Sequence, residues 1–247
     1  MAAQYPDLAG KIVLITGGAT GIGAAIVRRF TAQHCQVAFL DIADAAGQAL
    51  AGETGARYLH ADLTDIPALR QAIATVQNEM GAVQVLVNNA AHDERHKTAH
   101  VTVEYWDDRM AVNLRHQFFT AQAVLPGMQA AKAGAIINFG SISWMIGEGG
   151  MAAYTACKSA VLGLTRSLAR DYGPDNIRVN AVAPGWIMTE RQKTLWLTPE
   201  GEAELMRRQC LKRHLVPDEV ASLVLFLSSD DASACTNQHY IVDGGWV

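Results

Sequence analysis

The chain has 247 residues, of which half are hydrophobic and 18% are charged, and its formal net charge is −4. This length and composition are typical of one well-buried α/β domain and exclude a disordered chain. An acidic chain without a basic stripe is not expected to bind nucleic acid, and no apolar run reaches the roughly 18 residues that a membrane span needs.

The cysteines and the first residues bear on the cellular compartment. Cys35, Cys157, Cys210 and Cys235 lie far apart and form no CxxC pair. The opening residues, MAAQYPDLAGK, have neither a cationic segment nor an apolar core, so they do not resemble an export signal. We therefore expect free thiols and a cytoplasmic protein.

Short apolar runs are predicted to be strands. In chain order they are 11–16 (KIVLIT), 36–41 (QVAFLD), 57–63 (RYLHADL), 83–88 (VQVLVN), 134–140 (GAIINFG), 176–183 (NIRVNAVA) and 239–243 (HYIVD). Segments long enough for helices separate them, such as the amphipathic 21–33 and the helical 103–124. Alternation of this kind predicts an α/β fold with a parallel sheet whose strands are buried on both faces.

The segment 185–200 differs from the rest, because GWIMTERQKTLWLTPE has two tryptophans among charged residues and threonines. It follows a predicted strand, and open α/β sheets bind ligands at strand ends. We interpret the region of about 185–210, including a helix near 201–210, as a substrate lid. An ordinary surface excursion is the alternative.

A glycine-rich turn joins the first predicted strand to the first predicted helix. Its glycines, Gly17, Gly21 and Gly23, are spaced Gly-x3-Gly-x-Gly. Glycines allow a tight turn and close approach of a pyrophosphate, and the helix N-terminus offers free N–H groups and a positive dipole end. This position between strand and helix predicts a dinucleotide-binding turn.

An aspartate ends the second predicted strand and favours one dinucleotide over another. Asp41 lies twenty residues beyond Gly21. A carboxylate there accepts hydrogen bonds from the adenosine ribose and repels a 2′-phosphate, so we predict NAD rather than NADP. Ile42, where an NADP enzyme often has arginine, supports this choice. Asp41 could also cap the next helix, and that role is compatible with binding the ribose. Asp62, after the third predicted strand, has two interpretations: it is either a partner of the adenine amine or a turn-forming aspartate.

Tyr154 and Lys158 are four residues apart, so on a helix they share one face. A free tyrosine titrates near pH ~10, and a nearby ammonium lowers that pKa. Such a phenol can take a proton from an alcohol as hydride leaves. This spacing alone is commonplace, but Ser141, at the end of the fifth predicted strand, and Asn113, within 103–124, favour an active site.

These motifs occur together in a fixed order. They are TGGATGIG at 16–23, Asp62, NNA at 88–90, Asn113, Ser141, YTACK at 154–158 and PG at 184–185. With them the chain resembles a short-chain dehydrogenase/reductase over essentially its whole length. The resemblance implies a three-layer Rossmann fold, with a doubly wound sheet of seven parallel strands in a single NAD-binding domain, residues 1–247. Ala91, where the family usually has glycine, is a departure.

The resemblance also implies residue roles. Tyr154 would be the acid/base, Ser141 would orient the substrate oxygen, and Lys158 would bind the nicotinamide ribose and lower the pKa of Tyr154. Asn113 would support a water relay to the lysine. The implied cofactor-binding set is Gly17, Thr20, Gly21, Ile22, Gly23, Asp41, Ile42, Asp62, Leu63, Asn89, Ala90, Tyr154, Lys158, Pro184, Gly185, Ile187 and Thr189.

Several stretches are unusual for the family at large. They include 92–96 (HDERH), 113–119 (NLRHQFF), 139–144 (FGSISW), 191–192, 198–204 and 209–212. Together they are similar to bacterial sugar dehydrogenases of this family, which implies oxidation of a pentose or galactose-type sugar at C1 by NAD to the aldonolactone. Trp144 is predicted to lie against the C–H face of the sugar, with core packing as the alternative. Further substrate candidates are His92, Ser141, Glu148, Trp186 and Gln192.

Other functions are less well supported by the residues. The histidines of 92–96 lack the zincin spacing, so we predict no metal, and no GxSxG elbow indicates a hydrolase. The rival hypotheses are a carbonyl reductase of the same family, for ketoacyl or other alcohol and ketone substrates, and a non-catalytic NAD-binding regulator. The resemblance also implies a homotetramer that pairs the helices near 103–130 and 154–172.

Overall fold

The computed structural model describes residues 3–247. The first two residues, which belong to the opening segment and to the predicted domain 1–247, lie outside the described part. The strands are β1 (Ile12–Thr16), β2 (Gln36–Asp41), β3 (Arg57–His60), β4 (Val85–Asn88), β5 (Gly134–Phe139), β6 (Ile177–Pro184) and β7 (His239–Val242). The α-helices are α1 (Gly21–Thr31), α2 (Asp44–Thr54), α3 (Ile66–Met80), α4 (Val103–Met110), α5 (His116–Ala131), α6 (Ala152–Tyr172), α7 (Glu190–Leu195), α8 (Pro199–Arg208) and α9 (Pro217–Ser228).

The strands form one parallel sheet in the order β3-β2-β1-β4-β5-β6-β7. The chain moves outward from β1 to β3, returns to β4 beside β1, and then moves outward to β7. This is the doubly wound arrangement of a Rossmann fold. The prediction of a seven-stranded parallel sheet is confirmed.

Two hydrophobic cores lie on opposite faces of the sheet, because successive strand residues point to opposite sides. In β1, Val13 and Ile15 pack into the core beneath α1, α2 and α9. Ile12 and Leu14 pack into the core beneath α3, α5 and α6. The central strands are therefore apolar at every position, and the sheet is the middle of three layers.

A buried polar network joins the centre of the sheet to two helices. Asn88 and Asn138 are partners in the β4–β5 register, and the Asn88 side-chain amide donates to Asn138 Oδ1 at 2.9 Å. Thr120 of α5 donates to Asn88 Oδ1 at 2.6 Å, and Asn138 donates to Thr165 of α6 at 3.1 Å. Each of these side chains is buried, so the hydrogen bonds fix α5 and α6 relative to the strand ends.

Some predicted boundaries were wrong. The third strand ends at His60 rather than at residue 63, because Asp62 accepts hydrogen bonds from Thr64 and forms a turn. The helical segment 103–124 is interrupted by a π-helical segment at 111–115. The lid region contains two helices rather than one, since Thr189 and Thr198 each cap a helix N-terminus. Among residues 3–247, no helix is long and apolar enough to cross a membrane.

Candidate active site

One large cavity of about 1580 Å³ opens at the carboxyl ends of the strands. It lies where the neighbouring strands β1 and β4 end and the helices that follow them, α1 and α5, pack on opposite faces of the sheet. It is larger than the ~300–1,000 Å³ of most single-ligand pockets, which suits a dinucleotide together with a substrate. The predicted cofactor-binding residues all line it. Predicted catalytic or substrate residues in its wall are Ser141, Tyr154, Lys158, His92, Glu148, Trp186 and Gln192.

The glycine turn is shaped by close backbone contacts. Gly17 and Gly21 have φ of +65° and +55°, a region that side chains disfavour. A Cβ on Gly23 would lie 1.9 Å from the Gly17 carbonyl oxygen, so no side chain fits there. Asn89 donates its amide to the carbonyl oxygens of Thr16 and Gly17, at 3.1 and 2.8 Å. Asn89 therefore holds the turn in shape from the end of β4.

The first turn of α1 is available to an anion. Its N-cap, Thr20, makes no side-chain capping hydrogen bond, and the turn contains no acidic residue. Gly21, Ile22 and Gly23 of that turn line the cavity. Unsatisfied N–H groups at a helix N-terminus bind phosphate well, so this turn fits the pyrophosphate of a dinucleotide.

The far end of the cavity carries carboxylates. Asp41 accepts hydrogen bonds from the backbone N–H groups of Ala19 at 2.9 Å and Ala43 at 3.0 Å, so it fixes the glycine turn and the entry to α2. A carboxylate retains further acceptor sites, and Asp41 also lines the cavity. Ile42 is 65% exposed beside it. Asp62 has its turn-forming role, which leaves its second oxygen for another donor.

Tyr154 and Lys158 lie on one face of α6 and both line the cavity. The Lys158 ammonium nitrogen lies 5.6 Å from the centre of the Tyr154 ring. It also donates to the Phe139 carbonyl oxygen, at 2.8 Å, which anchors the buried lysine at the end of β5. Tyr154 and Lys158 therefore lie side by side, as their four-residue spacing predicts.

Burial controls the proton affinity of both groups. It raises the pKa of Tyr154 above its ordinary value, and the negative charge of Asp93 raises it further. The Ser141 hydroxyl and the Arg95 cation lower that pKa, but by less. Burial also lowers the pKa of Lys158 to about 8. Burial and the Asp93 charge are therefore the main influences on the Tyr154 pKa in this structure, and the lowering of that pKa by Lys158 stays a prediction.

Ser141 and Asn113 are held by their own hydrogen bonds. Ser141 Oγ accepts from the Ser143 N–H group at 3.1 Å and lines the cavity. Asn113 is wholly buried in the π-helical segment and does not line the cavity. Its side chain accepts from the His92 N–H group at 2.8 Å and donates to the His92 and Arg109 carbonyl oxygens. Asn113 therefore fixes the segment that follows β4.

The tryptophans divide into two groups. Trp144 does not line the cavity, and its ring stacks on His239 with centroids 6.5 Å apart. The structure therefore has Trp144 beside His239 and outside the cavity wall, half-buried and in neither hydrophobic core, and its contact with a sugar stays a prediction. Trp186 and Trp196 do line the cavity. Trp196, the second tryptophan of the predicted lid, therefore adds an aromatic wall to the substrate side, the part of the cavity that the predicted substrate residues line.

Charged side chains on the substrate side are paired with one another. Arg95 contacts Glu148 at 3.1 Å, Arg109 contacts Glu94 at 3.2 Å, Arg191 contacts Asp93 at 3.2 Å and Lys193 contacts Glu190 at 2.8 Å. His92 contacts Arg109, and burial together with the Arg109 and Arg191 cations lowers its pKa, which keeps its ring neutral at pH 7. Asp93 and Arg95 were missed as site residues, because a run of alternating charges in a sequence is usually a solvated loop.

The histidine-rich segment 92–96 contacts two helices. His96 Nδ1 contacts the Tyr105 hydroxyl at 3.0 Å, and its other ring nitrogen accepts from the Ala153 N–H group. The part of the chain that the structure describes contains no group of three or more potential metal-ligating side chains. The segment instead docks the loop after β4 onto α4 and the start of α6.

The doubly wound sheet, the glycine turn and the tyrosine–lysine pair define a dinucleotide-dependent oxidoreductase site. Residues 17–247 match a family model described as enoyl-(acyl carrier protein) reductase. The chain belongs to the short-chain dehydrogenase/reductase family.

The chain is similar over its full length to named members of this family. It is 50% identical over 250 residues to D-xylose 1-dehydrogenase of Caulobacter vibrioides, covering 99% of each chain. It is 48% identical over 250 residues to the probable galactose dehydrogenase GalD of Rhizobium meliloti, covering 99% of this chain and 98% of that protein. It is 39% identical over 242 residues to the 3-alpha-(or 20-beta)-hydroxysteroid dehydrogenase of Mycobacterium tuberculosis, covering 97% and 90%.

Proposed function

We propose that this protein is an NAD-dependent aldose 1-dehydrogenase, which oxidises a neutral pentose or galactose-type sugar to its aldonolactone. One observation carries the proposal. Tyr154 and Lys158 project from one face of α6 into the same cavity as the glycine turn. An acid/base group therefore lies within one site with a dinucleotide-binding turn.

The residues of the cavity fit a nicotinamide dinucleotide. The cradle at Gly23, which any Cβ would fill, and the open first turn of α1 suit its pyrophosphate. Pro184, Gly185, Ile187 and Thr189 would hold the nicotinamide end, since they line the cavity beyond β6. When bound, the oxidised cofactor accepts a hydride from C1 of the sugar.

The side chains supply proton chemistry. Tyr154 would take the proton of the C1 hydroxyl, so the C1–H bond breaks toward the cofactor while the O–H bond breaks toward the phenolate. Ser141 would hold the reacting oxygen, because its hydroxyl lines the cavity and interacts with Tyr154. Lys158 would bind the nicotinamide ribose and supply positive charge beside the phenolate. The products are the lactone, the reduced cofactor and one proton.

The adenosine end of the cavity favours NAD over NADP. Asp41 places a negative charge where a 2′-phosphate would lie, and Ile42 is its neighbour. The described lining residues at this end, from Asp41 to Thr64, include no cation. A 2′-phosphate would therefore meet repulsion without a compensating charge.

The substrate side favours a neutral polyol. Apart from Lys158, which donates to the Phe139 carbonyl oxygen, the cations that line the cavity, Arg95, Arg109, Arg191 and Lys193, each have a carboxylate partner within the described residues. A phosphorylated or acyl-carrier substrate would have to displace one of those carboxylates. Polar pairs beside Trp186 and Trp196 instead suit hydroxyl groups and a C–H face, and two similar proteins are named for xylose and galactose.

Initial rates with NAD test the substrate class. The panel is L-arabinose, D-xylose, D-galactose, L-fucose and L-rhamnose, with an aldose phosphate and a long-chain alcohol as controls. We expect activity with at least one free sugar and little with either control. Activity only with the long-chain alcohol would remove the sugar proposal.

A variant of the base tests the mechanism. Tyr154→Phe should bind NADH normally and lose turnover by at least ~100-fold, since it keeps the ring but removes the proton acceptor. Tyr172→Phe, at the other end of α6, is the matched control and should retain turnover. Normal turnover in Tyr154→Phe would show that another group is the base.

Exposed aromatic residues support the predicted homotetramer. Trp106 of α4 and Phe118 of α5 are 39% and 43% exposed. These helices lie in the region predicted to pair between subunits. Light scattering should give the mass of a tetramer.

A further inference from the structure

The helix that covers the substrate side of the cavity has little apolar packing of its own. α7 has no buried residue, and α8 buries Leu205 alone among its described residues. A helix of six residues is not stable in isolation, so contacts with the rest of the chain must hold it. The position of α7 therefore depends on polar contacts.

Two of those contacts come from Asp93, in the loop after β4. One carboxylate oxygen accepts from Arg191 Nε at 3.2 Å, and the other accepts from the Gln192 amide at 2.6 Å. The Asp93 side chain is only 19% exposed, whereas Arg191 is 44% exposed, so the hydrogen bond to Gln192 is the better shielded of the two. A surface ion pair contributes little, but a withdrawn carboxylate with two donors is a strong anchor.

The hydrogen bonds that begin at Asp93 continue through Gln192 to Trp186, on the substrate side of the cavity. Gln192 Oε1 accepts from the Trp186 indole N–H group at 2.9 Å, so both polar ends of the Gln192 amide are used. Trp186 in turn lies against Gly201 of α8, where a Cβ would be 3.1 Å from the indole ring. Asp93, Gln192, Trp186 and α8 thus form one connected unit around the cavity.

We propose that Asp93 is a positioning residue that docks α7 across the cavity and thereby fixes Gln192 and Trp186 against the substrate. The proposal rests on the proposed function for the identity of that substrate. Asp93 positions the substrate through α7, in addition to the effect of its charge on the Tyr154 pKa, while Tyr154 and Ser141 act on the reacting oxygen. Asp93 would then affect the affinity for the sugar although it lies 98 and 99 positions before its partners in α7, Arg191 and Gln192.

Three variants separate this role from a general effect of charge. Asp93→Ala removes both acceptors, and Asp93→Asn keeps one. Glu94→Gln is the matched control, because Glu94 is the adjacent carboxylate, pairs with Arg109 and does not line the cavity. NADH binding, measured by fluorescence, shows that each variant is folded and should stay within twofold of the unmutated protein.

Trypsin cleavage after Arg191 and Lys193, measured without sugar, reports the docking of α7. We expect cleavage at least fivefold faster in Asp93→Ala, an intermediate rate in Asp93→Asn and no change in Glu94→Gln. Equal rates in all variants would overturn the proposal. This readout needs no activity, so it stands even if no aldose is oxidised and the proposed function fails.

Steady-state kinetics report the effect on the substrate. The KM for the sugar should rise about tenfold in Asp93→Ala, with partial rescue in Asp93→Asn, while the KM for NAD stays within twofold. Faster cleavage combined with an unchanged sugar KM would also overturn the proposal, since α7 would then be docked by Asp93 without positioning anything at the substrate.

Discussion

Buried His116 should give the fold a measurable sensitivity to acid. His116 begins α5 directly after the π-helical segment and has no exposed surface. Neither of its ring nitrogens has a hydrogen-bond partner within residues 3–247. Burial, with smaller effects of the Lys158 and Arg115 cations, lowers its pKa from 6.5 to about 3. The folded protein therefore keeps this ring neutral at pH values where the unfolded chain binds a proton.

The sign and size of the effect follow from proton linkage. Below pH 6.5 the unfolded state binds the proton that the folded state does not, so the free energy of unfolding falls as the pH falls toward the folded pKa. With a folded pKa of about 3, His116 accounts for a loss of roughly 2 kcal/mol between pH 7 and pH 5. His116→Asn, which cannot titrate, should remove that part of the pH dependence.

Urea unfolding at pH 7 and pH 5, at one protein concentration, measures the effect. The quantity compared is the change in free energy of unfolding between the two pH values, so a general loss of stability in the variant cancels. His34→Asn is the control, because His34 is exposed and its positive φ suits asparagine. An equal pH dependence in His116→Asn and in the unmutated protein would refute the reasoning.

Three further predictions concern the cofactor end of the cavity and the buried network. Asp41→Ala should relax the proposed preference for NAD and raise kcat/KM with NADP at least about tenfold, because a charge that would oppose the 2′-phosphate is lost. Asp44→Ala, outside the cavity, should leave kcat/KM with NADP unchanged. An unmutated protein that uses both cofactors equally would contradict this. Gly23→Ala should abolish NADH binding, measured by fluorescence titration, because the alanine Cβ would lie 1.9 Å from the Gly17 carbonyl oxygen. Gly52→Ala, with open space in α2, should bind normally and unfold at slightly higher urea. Asn138→Ala should lower the free energy of unfolding by about 2–3 kcal/mol in urea titration, since it leaves buried partners unsatisfied; a loss near zero would show that the network is not stabilising.

Much of the fold could be predicted because strands buried on both faces have a strong local pattern. β1 and β4 are apolar at nearly every position and lie where their sequences predict. The break at 111–115 could not be predicted, because the segment reads as one helix. Its π-helical form is stabilised by Asn113, whose partners, at His92, lie 21 residues away.

The cofactor half of the site was easier to predict than the substrate half. The glycine spacing and Asp41 could be predicted because they lie directly at the ends of strongly patterned strands, although Asp41 and Asn89 contact the turn from 22 and 72 residues away. The direction of Trp144 is different, because its neighbour His239 is 95 positions away in β7. Likewise the pairing of Asp93 with α7 depends on how two loops meet above the sheet.

The amino-acid sequence by itself determined the parallel sheet, the glycine turn between β1 and α1 and the shared helical face of Tyr154 and Lys158, since each depends on the pattern of a strand or a helix over a few residues. Only the tertiary structure decided the proton affinity of Tyr154 and the walls of the substrate side. Both depend on burial and on charges such as Asp93, and these are brought together by segments distant in the chain.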